Sequence, residues 1–348
     1  LLHSIIQEDI EQVVKADLPW ERFRNKCVLV TGANGFLPAY MVYTFLELNN
    51  RFDYKIDVVG LVRNQSKAEK KFGNLLQRKD FQLLVQDVSV PIKSDSKFDF
   101  IIHAASQASP KYYGIDPIGT ASANTLGTYN LLQLAKDCNS EGFLFFSTSE
   151  VYGTVAENQI PTKENEYGYI DPTNVRACYA ESKRLGENFC VSFFHQHQVP
   201  VKIVRPFHTY GPGMELNDGR VYADFIADIV NNKNIVMKSD GKATRAFCYS
   251  ADATAGFFTV LLKGENANAY NVGNLQGESS VIELAETLVN LFPDKNLKVE
   301  KWQPPTDGSY LPSAVLRNAP NTNKINTLGW SATTDIPTGF SRTIQSYA

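Results

Sequence analysis

With 348 residues, 43% of them hydrophobic, the chain can bury a large core and carry one large domain plus a smaller lobe. A formal charge of −3 and a pI near 6.0 give no field that would gather nucleic acid or anionic lipid. Five scattered cysteines without a CxxC pair read as reduced thiols and no metal site, and no apolar run reaches the ~20 residues of a membrane span, so the expectation is a cytoplasmic protein.

The N-terminal segment Ser4 to Ala16 is polar and amphipathic, and reads as a surface helix within an extension over residues 1–25. Lys26 to Val30 is a short apolar run that ends in Thr31-Gly-Ala-Asn-Gly35, and a helical pattern follows from Ala39 to about Leu48. A glycine turn between a strand and a helix is the phosphate cradle of a dinucleotide-binding unit. Gly32 permits the tight turn and Gly35 lets backbone approach a pyrophosphate, with Asn34, Phe36 and Leu37 completing the contact. The third glycine of that fingerprint is absent, Pro38 standing in its place.

Further strand-length runs are Ile56 to Val62, Phe81 to Val85, Phe98 to Ala104, Gly142 to Phe146 and Val201 to Val204, mostly separated by helical segments. Such alternation predicts an α/β fold of the Rossmann type, a doubly wound parallel sheet covering residues 26–205. After the second run, where a ribose-binding acid is expected, Leu61-Val-Arg-Asn64 puts Arg63 instead. An Arg there can accept a 2′-phosphate, so NADP stands beside NAD as the expected cofactor. Asp87 and Val88 follow the third run at the place for the adenine, and His103-Ala104-Ala105 ends the fourth, where cofactor must pass close to backbone.

Tyr179-Ala-Glu-Ser-Lys183 places a phenol and an ammonium four residues apart, on one face of a helix. The spacing predicts that Lys183 lowers the Tyr179 pKa, making the phenol a general base for an alcohol proton. Beyond Arg205 the texture changes to loops of Gly, Pro and Asn with short helices such as Val281 to Leu291, which predicts a smaller substrate lobe over residues 206–348, interleaved with the first domain.

Together with Ser147-Thr-Ser-Glu-Val-Tyr-Gly153, Arg205-Pro-Phe-His-Thr-Tyr-Gly-Pro212 and Gly241-Lys-Ala-Thr-Arg-Ala-Phe247, these pieces resemble the extended short-chain dehydrogenase/reductase family of nucleotide-sugar epimerases, dehydratases and decarboxylases, from Cys27 to Ile344. Ser109 to Pro117, Asn124 to Thr128, Arg176-Ala-Cys-Tyr179 and Asp218 to Val221 look most like its UDP-glucuronate decarboxylase branch. The resemblance implies that Tyr179 is the base, that Lys183 is its partner and ribose ligand, and that Thr148 bonds the reacting sugar hydroxyl. It implies acid–base work beside C5 for Glu150, contact with the nucleotide sugar for Ser149 and His208, a grip on its diphosphate for Arg245 and a second contact to the nucleotide for Arg220. Arg317, eleven residues before Leu328-Gly-Trp330, matches the spacing of an active-site Arg. Helices over Leu126 to Lys136 and Tyr179 to Gln198 resemble those that pair in a family homodimer.

The family's shared first step is oxidation of the sugar at C4 by bound NAD. The 4-ketone then leads to decarboxylation if C5 carries a carboxylate, to dehydration if it carries CH2OH, or to 4-epimerisation. Dehydratases place an Asp before the Glu to expel hydroxide, whereas this chain has Ser149, and simple epimerisation has no use for Glu150. Decarboxylation of a nucleotide hexuronate is therefore the leading expectation, with 4-epimerase, 4,6-dehydratase and NADPH-dependent keto-sugar reductase as alternatives. His208 for the usual Asn, Ala180 and Ser182 for Asp and Gly, and Ala319-Pro320 for Pro-Asp depart from the branch and leave the sugar open.

Overall fold

The computed structural model describes residues 2–93, 96–301 and 316–347. Seven strands form the central sheet: β1 (Cys27–Thr31), β2 (Asp57–Val62), β3 (Phe81–Val85), β4 (Phe100–His103), β5 (Gly142–Phe146), β6 (Val201–Pro206) and β7 (Asn268–Val272). Their order is β7-β6-β5-β4-β1-β2-β3 and every pairing is parallel. The runs of Val, Ile, Leu and Phe that mark β1, β4 and β5 are buried because helices cover both faces. Thr31 at the end of β1 pairs with Leu61 on one side and His103 on the other, so three strand ends open at one level. Chain order reverses between β1 and β4, the switch point at which an open sheet binds ligands.

The principal helices are α1 (Ser4–Val14), α2 (Phe36–Phe52), α3 (Gln65–Phe72), α4 (Pro117–Asn124), α5 (Leu126–Cys138), α6 (Cys178–His197), α7 (Val221–Val230), α8 (Ser250–Lys263) and α9 (Val281–Asn290). One core lies under α1, α2 and α8 and continues into the lobe around α7 and α9; a second lies under α5 and α6. The lobe adds short strands at Ile235–Met237, Thr244–Ala246, Glu278–Ser280, Val299–Lys301 and Arg317–Asn318. Between these excursions α8 and β7 return to the sheet, α8 packing on β5, β6 and β7.

The N-terminal helix is not the surface helix its polarity suggests. It packs on α2 and α8 and buries Asp9 with Ile10, Val13 and Val14. Asp9 is fully enclosed yet satisfied: the Tyr40 hydroxyl donates to it at 3.1 Å, that of Tyr249 at 2.9 Å, and the Arg342 guanidinium at 2.8 Å. A buried carboxylate with three donors is tolerated where an unpaired one is not.

Helix α6 also departs from a simple apolar stripe. Its buried residues Tyr179, Ala180, Ser182, Lys183, Gly186, Glu187, Cys190 and Phe193 follow helical spacing but include Lys183, Glu187 and Ser182. Glu187 takes a fork of hydrogen bonds from Arg205 of β6, at 2.8 and 2.6 Å, and one from the Ser147 hydroxyl after β5. Gly186 allows the close approach this needs, since a Cβ there would stand 2.5 Å from the Phe145 ring. The polar stripe thereby fixes Tyr179 and Lys183 against the end of β5.

Candidate active site

A cleft of about 1430 Å³ opens over the carboxyl ends of the strands, with the lobe as its far wall. At its floor the β1–α2 turn is shaped for backbone approach. Gly32 has φ +65°, and a Cβ on it would lie 2.8 Å from the Ala105 Cα. Gly35, the N-cap of α2, donates to the Gly32 carbonyl at 2.7 Å; Asn34, Phe36 and Leu37 line the cleft beside it. The N–H groups at the start of a 17-residue helix make that spot suited to an anion. Pro38 is accommodated in the first turn of α2, and close packing on the sheet comes from Gly60, where a Cβ would stand 3.0 Å from that of Ala33.

Beside this cradle the Ser106 hydroxyl is buried without a protein partner. A cradle that side chains would fill, together with an orphaned hydroxyl, fits a dinucleotide. Asp87 and Val88 line the cleft beyond β3. Burial pushes the Asp87 carboxyl up, but the Ser89 backbone and hydroxyl and nearby Arg63 outweigh it and hold it below its usual range. Arg63 lines the rim, its guanidinium 3.8 Å from Asp87. His103 does not reach the cleft. It is fully buried between Thr31 (3.0 Å) and Thr128 (3.1 Å), and Thr31 Oγ1 in turn accepts from the Ala104 and Ala105 amides. That chain suits a neutral imidazole protonated on Nε2, and burial holds its pKa well below the usual value. His103 thus shapes the Ala104–Ala105 wall from behind.

Thr148, Ser149, Glu150, Tyr179 and Lys183 all line the middle of the cleft. After β5 the chain turns at Ser149–Tyr152, with the Thr148 hydroxyl capping the Glu150 amide at 3.2 Å. Tyr179 is 5% exposed and Lys183 2%. The expected depression of the Tyr179 pKa by Lys183 is corrected by the geometry. Burial, reinforced by the Glu150 charge, raises the phenol well above its ordinary value; Thr148 and Arg220 only partly oppose this. Lys183 donates to the Phe146 carbonyl at 2.6 Å, its Nζ 5.9 Å from the Tyr179 ring centre, and burial lowers its pKa to about 7. Low dielectric penalises both charges at once, so a shared helix face alone does not make a phenolate.

Glu150 is pushed up by burial against the pull of Arg176 and Arg220. Two neighbours went unmarked in the sequence as site residues. Tyr113 is buried and stacks on Tyr179, ring centres 5.0 Å apart and 15° from parallel, and the Arg176 guanidinium lies 5.7 Å from the Tyr113 ring centre. Arg220 lines the cleft and is tied to Asp218 (3.4 Å), to the Tyr222 hydroxyl and to the Ala108 carbonyl. Arg245 lines it opposite, donating to the Thr244 carbonyl at 2.7 Å. His208 lies within the field of both; burial and these two cations lower its pKa to about 3, and its Nδ1 has no protein partner. Arg317 is not brought to the cleft: it forks onto Glu278 at 2.6 and 2.9 Å, and its neighbour Asn318 lines the wall instead.

Among the described residues, no group of His, Cys, Asp or Glu is placed to hold a metal, and no helix is long and apolar enough to cross a membrane. Residues 28–273 match the model of the NAD dependent epimerase/dehydratase family. The chain is 34% identical over 281 residues to UDP-glucuronic acid decarboxylase 6 of Arabidopsis thaliana, covering 80% of this chain and 78% of that one. The fold matches UDP-glucuronic acid 4-epimerase from Bacillus cereus, solved with UDP-glucuronic acid and NAD, at a TM-score of 0.74 and 21% identity over 92% of this chain and 98% of that one. It also matches dTDP-glucose 4,6-dehydratase from Bacillus anthracis in complex with NAD, at a TM-score of 0.74 and 19% identity over 92% and 96%.

Proposed function

Because the chain belongs to the NAD-dependent epimerase/dehydratase family, we propose that this nucleotide-sugar-modifying enzyme oxidises its sugar at C4 and decarboxylates it, turning a nucleotide hexuronate of the UDP-glucuronate type into a nucleotide pentose. The observation that carries the reading is the makeup of the catalytic patch. Thr148, Tyr179 and Glu150 line one stretch of cleft, and the position before Glu150 holds a buried serine rather than an acid. The naming of relatives at 34% identity as decarboxylases supports it.

NAD, when bound, supplies a reversible hydride acceptor that carries positive charge. The turn from Gly32 to Leu37 would hold its pyrophosphate, Asp87 and Val88 its adenine, and Lys183 its nicotinamide ribose. Tyr179 takes the C4 hydroxyl proton, its phenolate favoured by Thr148 and Arg220 against the penalty of burial. Thr148 orients that hydroxyl. A C4 ketone lies β to the C5 carboxylate and accepts the electron pair as CO2 leaves, so no acid at position 149 is required. Glu150, inclined by burial to hold a proton, serves protonation at C5. Arg245, Arg220 and His208 would hold the nucleotide sugar across the lobe wall. Leu126 and Tyr129 of α5 and Leu185 and Val191 of α6 stand exposed on neighbouring helices, which supports a homodimer through that face.

The test is incubation with UDP-glucuronate and mass detection of products. CO2 and a UDP-pentose without net NADH are expected, and Tyr179→Phe should cut turnover about 10²–10⁴-fold while leaving the fold intact. A UDP-hexuronate epimer formed without CO2 would refute decarboxylation.

A further inference from the structure

A nucleotide hexuronate differs from its parent hexose by one carboxylate, and a partly buried site that accepts this charge must supply a cation. The arginines at hand are not equally placed. Arg317 is forked onto Glu278 and stands off the cleft. Arg220 is engaged by Asp218 and by the Ala108 carbonyl, and Arg245 by the Thr244 carbonyl.

Arg176 stands apart from these. It lies on the short Val175–Ala177 turn that leads into α6, three residues before Tyr179, with its backbone fixed by the Asn174 side chain at 3.0 Å. Its guanidinium lines the cleft and rests over the Tyr113 ring, which itself stacks on Tyr179. Among the described residues its side chain has no hydrogen bond or ion pair to protein, although its charge is felt by Glu150. The sugar patch therefore carries a phenol, a carboxyl and a planar fork of uncommitted donors seated on an aromatic shelf.

We propose that Arg176 is the substrate-binding residue that reads the hexuronate carboxylate, a role that rests on the decarboxylase reading above. A planar guanidinium meets a carboxylate through two parallel N–H···O bonds, which a Lys cannot reproduce. Tyr113 holds the fork in place through its ring face, at little entropic cost on binding. The carboxylate loses its charge as CO2 departs, so this grip belongs to the bound substrate more than to the transition state. Its removal should raise KM without lowering kcat.

Calorimetric titration of NAD-loaded protein in the Tyr179→Phe background, where turnover is blocked, separates the possibilities. The parent should bind UDP-glucuronate more tightly than UDP-glucose. Arg176→Ala should weaken UDP-glucuronate by about 10- to 100-fold and leave UDP-glucose unchanged, with Arg176→Lys between. Equal weakening of both ligands would overturn the assignment, as would a preference that survives Arg176→Ala but disappears in Arg317→Ala. A parent with no preference for the uronate would remove the decarboxylase reading itself, and this role with it.

Discussion

Replacing Glu187 with Ala tests how the catalytic helix is held. Arg205 is 1% exposed and meets both Glu187 oxygens, at 2.8 and 2.6 Å, while its remaining donors go to the Glu164 carbonyl and the Tyr152 and Tyr167 hydroxyls. Glu187→Ala leaves that guanidinium enclosed without its counter-charge, a loss of about 3–5 kcal/mol. Unfolding entropy of about 2.1 cal/mol/K per residue, taken over 348 residues, gives ~0.7 kcal/mol/K. The midpoint of thermal unfolding should therefore fall by about 4–7 °C in scanning calorimetry. Joint replacement by Glu187→Met and Arg205→Met removes both charges and should recover part of the loss, the gain limited by the Glu164 carbonyl and Ser147 hydroxyl that lose their partners. A single variant that loses less than about 1 kcal/mol, or a double variant as unstable as the two singles added, would refute the claim that this pair anchors α6.

Two further outcomes follow from the same geometry. Gly32→Ala places a Cβ 2.8 Å from the Ala105 Cα at φ +65°, so nicotinamide binding should weaken about tenfold or more, read by titration of the purified variant; unchanged affinity would show that the turn is not the cradle. Burial holds Lys183 at about 7 against 10.5 in water, so between those values the unfolded chain binds the extra proton and stability rises with pH. Lys183→Met should flatten that slope, by up to ~1.4 kcal/mol per pH unit, in denaturant melts across the window; an unaltered slope would place the titrating group elsewhere.

Six of the seven central strands were legible as apolar runs, five of them because strands buried on both faces leave little room for polar residues. The seventh, Asn268–Val272, was not, since Asn271 is a buried polar residue whose amide donates to the Thr162 and Asn321 carbonyls at 2.9 and 3.0 Å. Asp9 misled in the same manner: its polarity reads as solvent exposure until Tyr40, Tyr249 and Arg342 are seen around it. The glycine turn and the Tyr179–Lys183 spacing located the cleft because backbone approach and helix periodicity are local properties. The protonation balance of that pair is not local, since it depends on enclosure by β5 and Tyr113. Arg176 carries no periodic signal on its short turn, and Arg317 lost its expected place to a glutamate 39 residues upstream.

The route of the chain through the sheet has a bearing on how the molecule comes into being at the ribosome. From β1 onward, each new strand on the β4 side attaches beside its predecessor, but β7 emerges only about sixty residues after β6, behind the first lobe segment and α8. Until then the β6 edge has no neighbour, and α8, which packs on the sheet there, is completed only shortly before β7 begins. A nascent chain halted within the lobe would therefore carry an unsealed strand edge above a finished cofactor cradle, a natural point for chaperone capture.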